Sequence, residues 1–138
     1  MPGTALNSYQ KLAQDYAGYH RDWRNRACHR VGIPLIMFCV VRWTQTGSWF
    51  PWAAAVLPLY AAWDVSLSLL MAAVIFAMAA AAAYAPVPLV WAFFVLGWLL
   101  QFAGHRFEGK SPAFLKNLAH LLVGPMWILA EIRDAFLR

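Results

Sequence analysis

Charged residues are scarce in this chain, at 12% of its 138 residues, which is about half the share usual in a soluble domain. Hydrophobic residues make up 62% of the sequence. Between Trp43 and Gly104 the only charged residue is Asp64. A segment with so little charge cannot form the surface of a small soluble protein, so the composition predicts a single, membrane-embedded domain over residues 1–138.

Cysteine is also rare, and this excludes a fold held together by disulfide bonds. The chain has two cysteines, Cys28 and Cys39, and we expect both to be free thiols. Residues 1–30 are polar and contain no apolar run, which argues against a cleavable signal peptide. Glycine-rich phosphate loops and Cys-x-x-Cys pairs are missing too, so no organic cofactor is expected.

The positive charge of the chain flanks its apolar part. The net charge is +5, and the basic residues on the two sides of the apolar block are Lys11, Arg21, Arg24, Arg26, Arg30, Arg106, Lys110 and Lys116. Basic residues beside membrane segments favour a cytoplasmic location and contact with anionic lipid. We therefore expect a cytoplasmic N-terminus and no nucleic-acid partner.

Apolar runs divide the chain into helices. We expect an amphipathic helix over residues 6–19, because its apolar and aromatic residues recur at spacings of three and four. The apolar runs that follow are residues 31–41, 48–63, 65–84, 89–104 and 113–137. The first two are short, and they predict a tilted or re-entrant hairpin with a turn at residues 44–48. The fold class is thus an all-α membrane bundle of about four to five membrane helices plus the amphipathic helix.

Local signals set the expected ends of the later helices. Ser111 before Pro112 predicts an N-cap followed by proline at the first position of the last helix. Gly124 and Pro125 predict a break within that helix. Asp64 directly precedes the run that starts at residue 65, so its carboxylate suits an N-cap there.

All four histidines lie outside the apolar middle of the chain, at positions 20, 29, 105 and 120. With a cytoplasmic N-terminus and a short first hairpin, the count of crossings brings all four to one membrane face. Asp64 and Glu108 reach the same face. Imidazole and carboxylate groups together are ligands for iron, zinc or manganese, so we expect a metal site there.

The histidine spacings constrain how such a site forms. His20 and His29 are nine residues apart, which places them on opposite sides of a straight helix, so the helix must break between them. Spacings of four pair Tyr16 with His20 and Asn25 with His29, and such partners can orient the rings. The same spacing pairs Gln101 with His105. Glu108 follows His105 by three residues, a spacing found in helical metal sites.

Each of these residues also has a non-catalytic interpretation. Histidines near a membrane surface can be interfacial polar groups, and Asp64 can be a helix cap alone. Glu108 can pair with Arg106 or Lys110. Four charged residues of the two terminal helices are expected to be solvated or interfacial helix charges, and they are Asp15, Glu131, Arg133 and Asp134.

Two sequence blocks resemble the signature of a known family. The first is "YHRDWRNRACHRVGIPL", and it contains His20, Asn25 and His29 followed by Ile-Pro. The second is "QFAGHRFEGKSPAF", and it contains Gln101 and His105. Both are similar to blocks of a family of small membrane proteins that includes the yeast endoplasmic-reticulum dioxygenase of fatty-acid α-oxidation.

The resemblance implies an Fe(II)-dependent dioxygenase that removes one carbon from a long-chain 2-hydroxy fatty acid with O2. It implies a place in a bacterial inner membrane or the endoplasmic reticulum, and the count of crossings puts the metal site at the cytoplasmic face. The iron ligands are then His20, His29 and His105, with His120 as a further candidate. The residues expected to orient ligands or substrate are Asn25, Asp64, Gln101, Glu108, Arg24 and Arg106.

Two other functions remain open from the sequence. A small membrane protein whose histidines are interfacial or act as a pH sensor can bind lipid or a protein partner without catalysis. A zinc-dependent lipid hydrolase can use the same ligands without consuming oxygen. Metal content and oxygen uptake distinguish these alternatives from the dioxygenase.

Overall fold

The computed structural model of the chain describes residues 7–45 and 51–137. Within these residues every regular element is helical and no strand occurs, so the all-α prediction is confirmed. The α-helices are α1 (Ser8–Gly18), α2 (Trp23–Thr44), α3 (Leu57–Trp63), α4 (Val65–Ala82), α5 (Val87–Glu108) and α6 (His120–Phe136). Short 3-10 helices, Trp52–Val56 and Ala113–Leu115, lie before α3 and α6.

Helices α2 and α5 form an antiparallel pair whose close approach depends on glycine. A Cβ atom at Gly32 would lie 2.8 Å from the backbone oxygen of Gly97. A Cβ atom at Gly104 would lie 2.5 Å from Oδ1 of Asn25 and 3.2 Å from Nδ1 of His29. Contacts this short leave no room for a side chain at either glycine, and at Gly32 and Gly97 the two backbones themselves approach closely. This crossing brings the start of α2 beside the end of α5.

Helices α1 and α6 pack together at the same end of this pair. Tyr16 of α1 is buried, and its ring centroid lies 5.4 Å from that of Trp127 of α6. On α6, Glu131 pairs with both Arg26 and Arg30 of α2. Glu131 thus joins α6 to the start of α2 through two ion pairs that the sequence did not predict.

The structure has fewer candidate membrane helices than the sequence predicted. Among the described residues, only Val65–Ala82 and Val87–Glu108 are long and apolar enough to cross a membrane. Their most apolar windows are only 33% and 22% buried, so most of this apolar surface faces outward, as expected of lipid contact. A bundle of four to five membrane helices is thus not confirmed. Helix α2 starts at Trp23, well before the apolar run at residues 31–41, and its first turns carry arginines.

The C-terminal region differs from its prediction in two places. Pro112 precedes a 3-10 helix without a side-chain cap, and the last helix begins only at His120, so the predicted cap at Ser111 is wrong. Helix α6 also continues through Gly124 and Pro125 without a break. Proline removes one backbone donor but leaves the helix intact where neighbouring elements hold it. The hydroxyl of Tyr60 donates to the Leu122 carbonyl at 2.7 Å, which provides such support.

Asp64 takes the role of a helix cap. Its Oδ1 accepts from the backbone N–H of Leu67 at 2.9 Å, which begins α4 as the sequence predicted. Its Oδ2 lies 3.2 Å from Nη1 of Arg133, an ion pair between α6 and the start of α4 that the sequence did not predict. Residues 46–48 of the predicted hairpin turn lie outside the described residues.

Both cysteines are free thiols, as predicted. Cys39 is buried and donates its thiol hydrogen to the carbonyl of Val90, with 3.1 Å between sulfur and oxygen. This bond adds a further contact between α2 and α5.

Candidate metal centre

Three histidines from three chain segments meet at the end of the α2–α5 pair. His20 lies in the connection between α1 and α2, His29 lies within α2, and His105 lies in the last turn of α5. Their ring centroids are 4.4, 4.8 and 5.1 Å apart, and all three side chains are buried. One potential ligand nitrogen of each lies within 4.8 Å of the other two.

A break between α1 and α2 lets His20 and His29 face each other. Helix α1 ends at Gly18, and Asp22 caps α2 by accepting from the backbone N–H of Arg24 at 2.8 Å. His20 occupies the short connection, outside both helices. The spacing of nine residues required this break, and the structure has it.

Glu108 fastens this connection to α5. Its carboxylate accepts from the backbone N–H groups of Arg21 at 3.0 Å and Asp22 at 2.8 Å. It also accepts from Nδ2 of Asn25 at 3.2 Å. Because Glu108 follows His105 by less than one helical turn, these bonds tie the segment carrying His20 to the helix carrying His105. The described residues include no ion pair of Glu108 with Arg106 or Lys110.

The ring orientation of two histidines is set by backbone carbonyls. Nδ1 of His20 lies 2.7 Å from the carbonyl oxygen of Tyr16, and Nδ1 of His29 lies 2.9 Å from that of Asn25. A carbonyl only accepts, so each Nδ1 carries the hydrogen and each Nε2 keeps a free lone pair. The four-residue spacings predicted these neighbours, although the contacts use backbone rather than side-chain atoms. The Tyr16 ring also stacks on His20 at 3.9 Å.

Two ring nitrogens in this cluster are buried without a partner. Within the described residues, neither Nε2 of His20 nor Nδ1 of His105 has a hydrogen bond. Buried polar atoms are rarely left unpaired, because losing water without a replacement costs free energy. Burial lowers the pKa of His20 to about 4, although its bond to the Tyr16 carbonyl acts in the opposite direction. His20 is therefore neutral near pH 7, the form in which imidazole binds a metal.

The cluster fits one metal ion. Imidazole nitrogens bind a first-row divalent metal at about 2 Å, so two ligands of one ion lie about 3–4 Å apart. The three histidines need only a small inward movement to reach that separation. Three neutral imidazoles leave further coordination positions for substrate, which is typical of catalytic rather than structural metal sites.

His120 lies near this group but is not part of it. Its Nδ1 is 3.1 Å from the carbonyl oxygen of Ala113, and its Nε2 is 3.0 Å from Oδ2 of Asp15. The second contact is not a hydrogen bond, and Nε2 has no hydrogen-bond partner in the part of the chain that the structure describes. The role of His120 as a fourth ligand stays a prediction.

The other predicted residues differ in their relation to the cluster. Gln101 is buried one turn before His105, and its Nε2 packs against Gly32 without a hydrogen bond to any described residue. Asp64 is outside the three-histidine group and is engaged by Arg133. Arg24 pairs with Asp22 and lies over the ring of Phe107. Arg106 is exposed.

An apolar cavity of about 420 Å³ opens from the histidine cluster. Its polar end contains the three histidines with His120 and Gln101, and the rest of its lining is largely hydrophobic. A cavity with one polar end and apolar walls suits a ligand with a polar head and a long apolar tail. Arg24, Arg106 and Asp64 are not among its described lining residues.

A sequence model of the family described as "2-hydroxy-palmitic acid dioxygenase Mpo1-like" matches residues 6–68 and 65–136 of this chain. The chain belongs to this family. His20 and His29 fall in the first matched segment and His105 in the second, so the resemblance of the two sequence blocks is confirmed. The family description names a dioxygenase that acts on a 2-hydroxy fatty acid. Neither the curated proteins nor the solved structures gave a match.

The sequence did not predict the glycine contacts that bring together the helices carrying the three histidines. Gly97 and Gly104 are seven residues apart, which places both on one face of α5. This spacing of small residues could have predicted a close helix contact. The attachment of Glu108 to the backbone of residues 21 and 22 had no signal, because a hydrogen bond to main-chain groups 86 and 87 residues away leaves no local pattern in the sequence.

We expect Glu108→Ala to weaken Fe(II) binding by about 10–100-fold, because the connection that carries His20 loses its attachment to α5. Glu108→Gln keeps one accepting oxygen and should weaken binding less. The measurement is an anaerobic Fe(II) titration of the purified protein. Asp134→Ala is the control. It also removes a carboxylate, but this one is exposed and pairs with Arg133 rather than with the connection that carries His20. Wild-type affinity in Glu108→Ala would contradict this role.

Proposed function

We propose that this chain is an Fe(II)-dependent dioxygenase that cleaves the C1–C2 bond of long-chain 2-hydroxy fatty acids. The observation that carries the proposal is the group of three buried histidines at the polar end of an apolar cavity. The family match supports the reaction class independently of this geometry.

The ion would be held by His20, His29 and His105. Bound Fe(II) supplies O2 activation and a Lewis acid for the carboxylate and 2-hydroxyl of the substrate. The backbone carbonyls of Tyr16 and Asn25 hold two of the rings with Nε2 free. Glu108 holds the His20 segment beside the helix that carries His105.

The proposed reaction needs no separate reductant. A 2-hydroxy acid and O2 together give a carboxylic acid one carbon shorter, carbon dioxide and water. The electrons that the substrate loses equal those that one O2 molecule accepts, so the atoms and the electrons balance. A co-substrate such as 2-oxoglutarate is therefore not expected.

The shape of the cavity supports a long-chain 2-hydroxy acid as the substrate. A long-chain acid places its carboxylate and 2-hydroxyl at the histidine end and its tail along the apolar walls. Burial of the tail contributes about 0.8 kcal/mol per methylene group, which favours long chains over short ones. The apolar walls also exclude water from the reacting carbons.

We further propose that α4 and α5 cross the bilayer and that the histidine cluster lies at its cytoplasmic side. The outward apolar surface of these helices supports the crossing. Arginines at the start of α2 lie at the same end as the cluster, and basic residues favour the cytoplasmic side. A fatty acid that partitions into the bilayer then has its carboxylate at the depth of the cluster.

The test is oxygen uptake by anaerobically purified, Fe(II)-loaded protein. We expect uptake on addition of a long-chain 2-hydroxy acid, with formation of the acid one carbon shorter. A plain fatty acid of equal length should bind but not react, since it lacks the 2-hydroxyl donor. Adding 2-oxoglutarate should change neither result.

Other outcomes point to other functions. Turnover of the plain acid, or a strict need for 2-oxoglutarate, would indicate a hydroxylase. Stoichiometric zinc after anaerobic purification, without oxygen uptake, would indicate a hydrolase. A protein that binds no metal under any of these conditions would be a non-catalytic lipid-binding protein.

A further inference from the structure

The apolar cavity runs along α2 and α5 from the histidine cluster toward the opposite end of the pair. On α2 its lining includes His29, Ile33, Met37 and Val41, which are four residues apart and share one helix face. On α5 the lining runs in the opposite direction, from His105 to Phe94. The two helices therefore form the long walls of one channel.

The length of this channel follows from helix geometry. His29 and Val41 are twelve residues apart, which corresponds to about 18 Å of helix. His105 and Phe94 are eleven residues apart, or about 16 Å. An extended chain of single bonds advances about 1.2 Å per bond. The channel therefore takes an extended tail of about 14 bonds.

Buried side chains lie at the far end of the channel. Val41 is 1% exposed and Ile75 of α4 is 3% exposed, and both belong to one packed apolar cluster. Ala53 packs against this cluster from the first 3-10 helix. Its backbone N–H donates to Oγ1 of Thr44 at 3.2 Å, which holds that helix against the end of α2.

We infer that Val41, Ala53 and Ile75 set the chain length of the acyl tail that the cavity accepts. This inference rests on the proposed function, since the tail is that of the 2-hydroxy acid whose head lies at the histidine cluster. Ala53 has the smallest side chain of the three, so a larger residue there would shorten the channel. Replacing Val41 by a smaller residue would lengthen the channel.

The first test is Ala53→Phe, assayed with straight-chain 2-hydroxy acids of roughly 8 to 20 carbons. A phenyl ring adds about 5 Å of side chain, so the preferred substrate should become about 4 carbons shorter. Activity on the longest acids should fall at least about tenfold relative to the short ones. Leu99→Phe is the control, because Leu99 is exposed on the outer face of α5 and should leave the profile unchanged.

The reverse variant keeps the inference testable if Ala53→Phe does not fold. Val41→Ala should move the preference toward longer acids. Iron content confirms in each variant that the histidine cluster is intact. An unchanged chain-length profile in a folded, iron-loaded Ala53→Phe or Val41→Ala protein would overturn the inference.

Binding without turnover separates this inference from the proposed function. Plain fatty acids of the same lengths can displace an apolar fluorophore from the cavity whether or not the protein oxidises any substrate. If wild-type protein consumes no oxygen but Ala53→Phe still shifts this binding profile, the proposed reaction fails and the assignment of the three residues stands. If oxygen uptake occurs and neither profile shifts, the reaction stands and the assignment fails.

Discussion

Replacing His20, His29 or His105 by alanine is expected to abolish both bound iron and oxygen consumption. Each replacement removes one of the three imidazoles that meet within 4.8 Å, and two ligands alone hold a divalent metal poorly. The measurements are iron per protein after anaerobic loading and oxygen uptake with a 2-hydroxy acid. Full iron content and activity in any one variant would remove that residue from the site.

His120→Ala is the matched control for these variants. His120 is also a buried histidine at the cavity, but its ring contacts Ala113 and Asp15 rather than the other three. Iron content close to that of the wild type is expected. Loss of iron in His120→Ala, to the extent seen for His29→Ala, would instead make His120 the fourth ligand that the sequence predicted.

Gly32→Ala is expected to destabilise the protein by about 1–3 kcal/mol and to weaken iron binding. The new methyl group would lie 2.8 Å from the backbone oxygen of Gly97, and a backbone atom cannot move aside as a flexible side chain can. Helices α2 and α5 must therefore separate, which moves His29 away from His105. Thermal unfolding in detergent and an anaerobic Fe(II) titration measure the two effects.

Gly18→Ala is the control for this substitution. A Cβ atom at Gly18 meets no other atom within 4 Å, and alanine favours a helix over glycine. Its stability should equal or exceed that of the wild type. A Gly32→Ala protein that is as stable as Gly18→Ala and binds iron normally would show that the glycine contact does not position the histidines.

Local patterns predicted much of the secondary structure correctly. The break between His20 and His29 followed from helical periodicity. Nine residues make about two and a half turns of a straight helix, so the two side chains would point in opposite directions without a break. The cap at Asp64 followed from its place directly before an apolar run. Both are properties of neighbouring residues, which is why they needed no knowledge of distant contacts.

Other expectations failed because distant contacts overrode local signals. Gly124 and Pro125 predicted a break, yet α6 passes through them, supported by the bond from Tyr60 to the Leu122 carbonyl. The sequence indicated no partner for Glu131, yet Arg26 and Arg30 pair with it from another helix. The predicted number of membrane helices is not confirmed, because α2 joins its short apolar run to a basic helical segment and so is not apolar enough to count as a candidate span.

The sequence by itself determined that the chain is helical, that its family is the one described above, and which histidines belong to the two signature blocks. These properties reside in composition, periodicity and residue order. Only the tertiary structure decided that His20, His29 and His105 meet while His120 and Asp64 have other partners. The meeting depends on the glycine contacts between α2 and α5 and on the bonds of Glu108 to the backbone. Such contacts join residues far apart in the chain, and their geometry exists only after the helices pack.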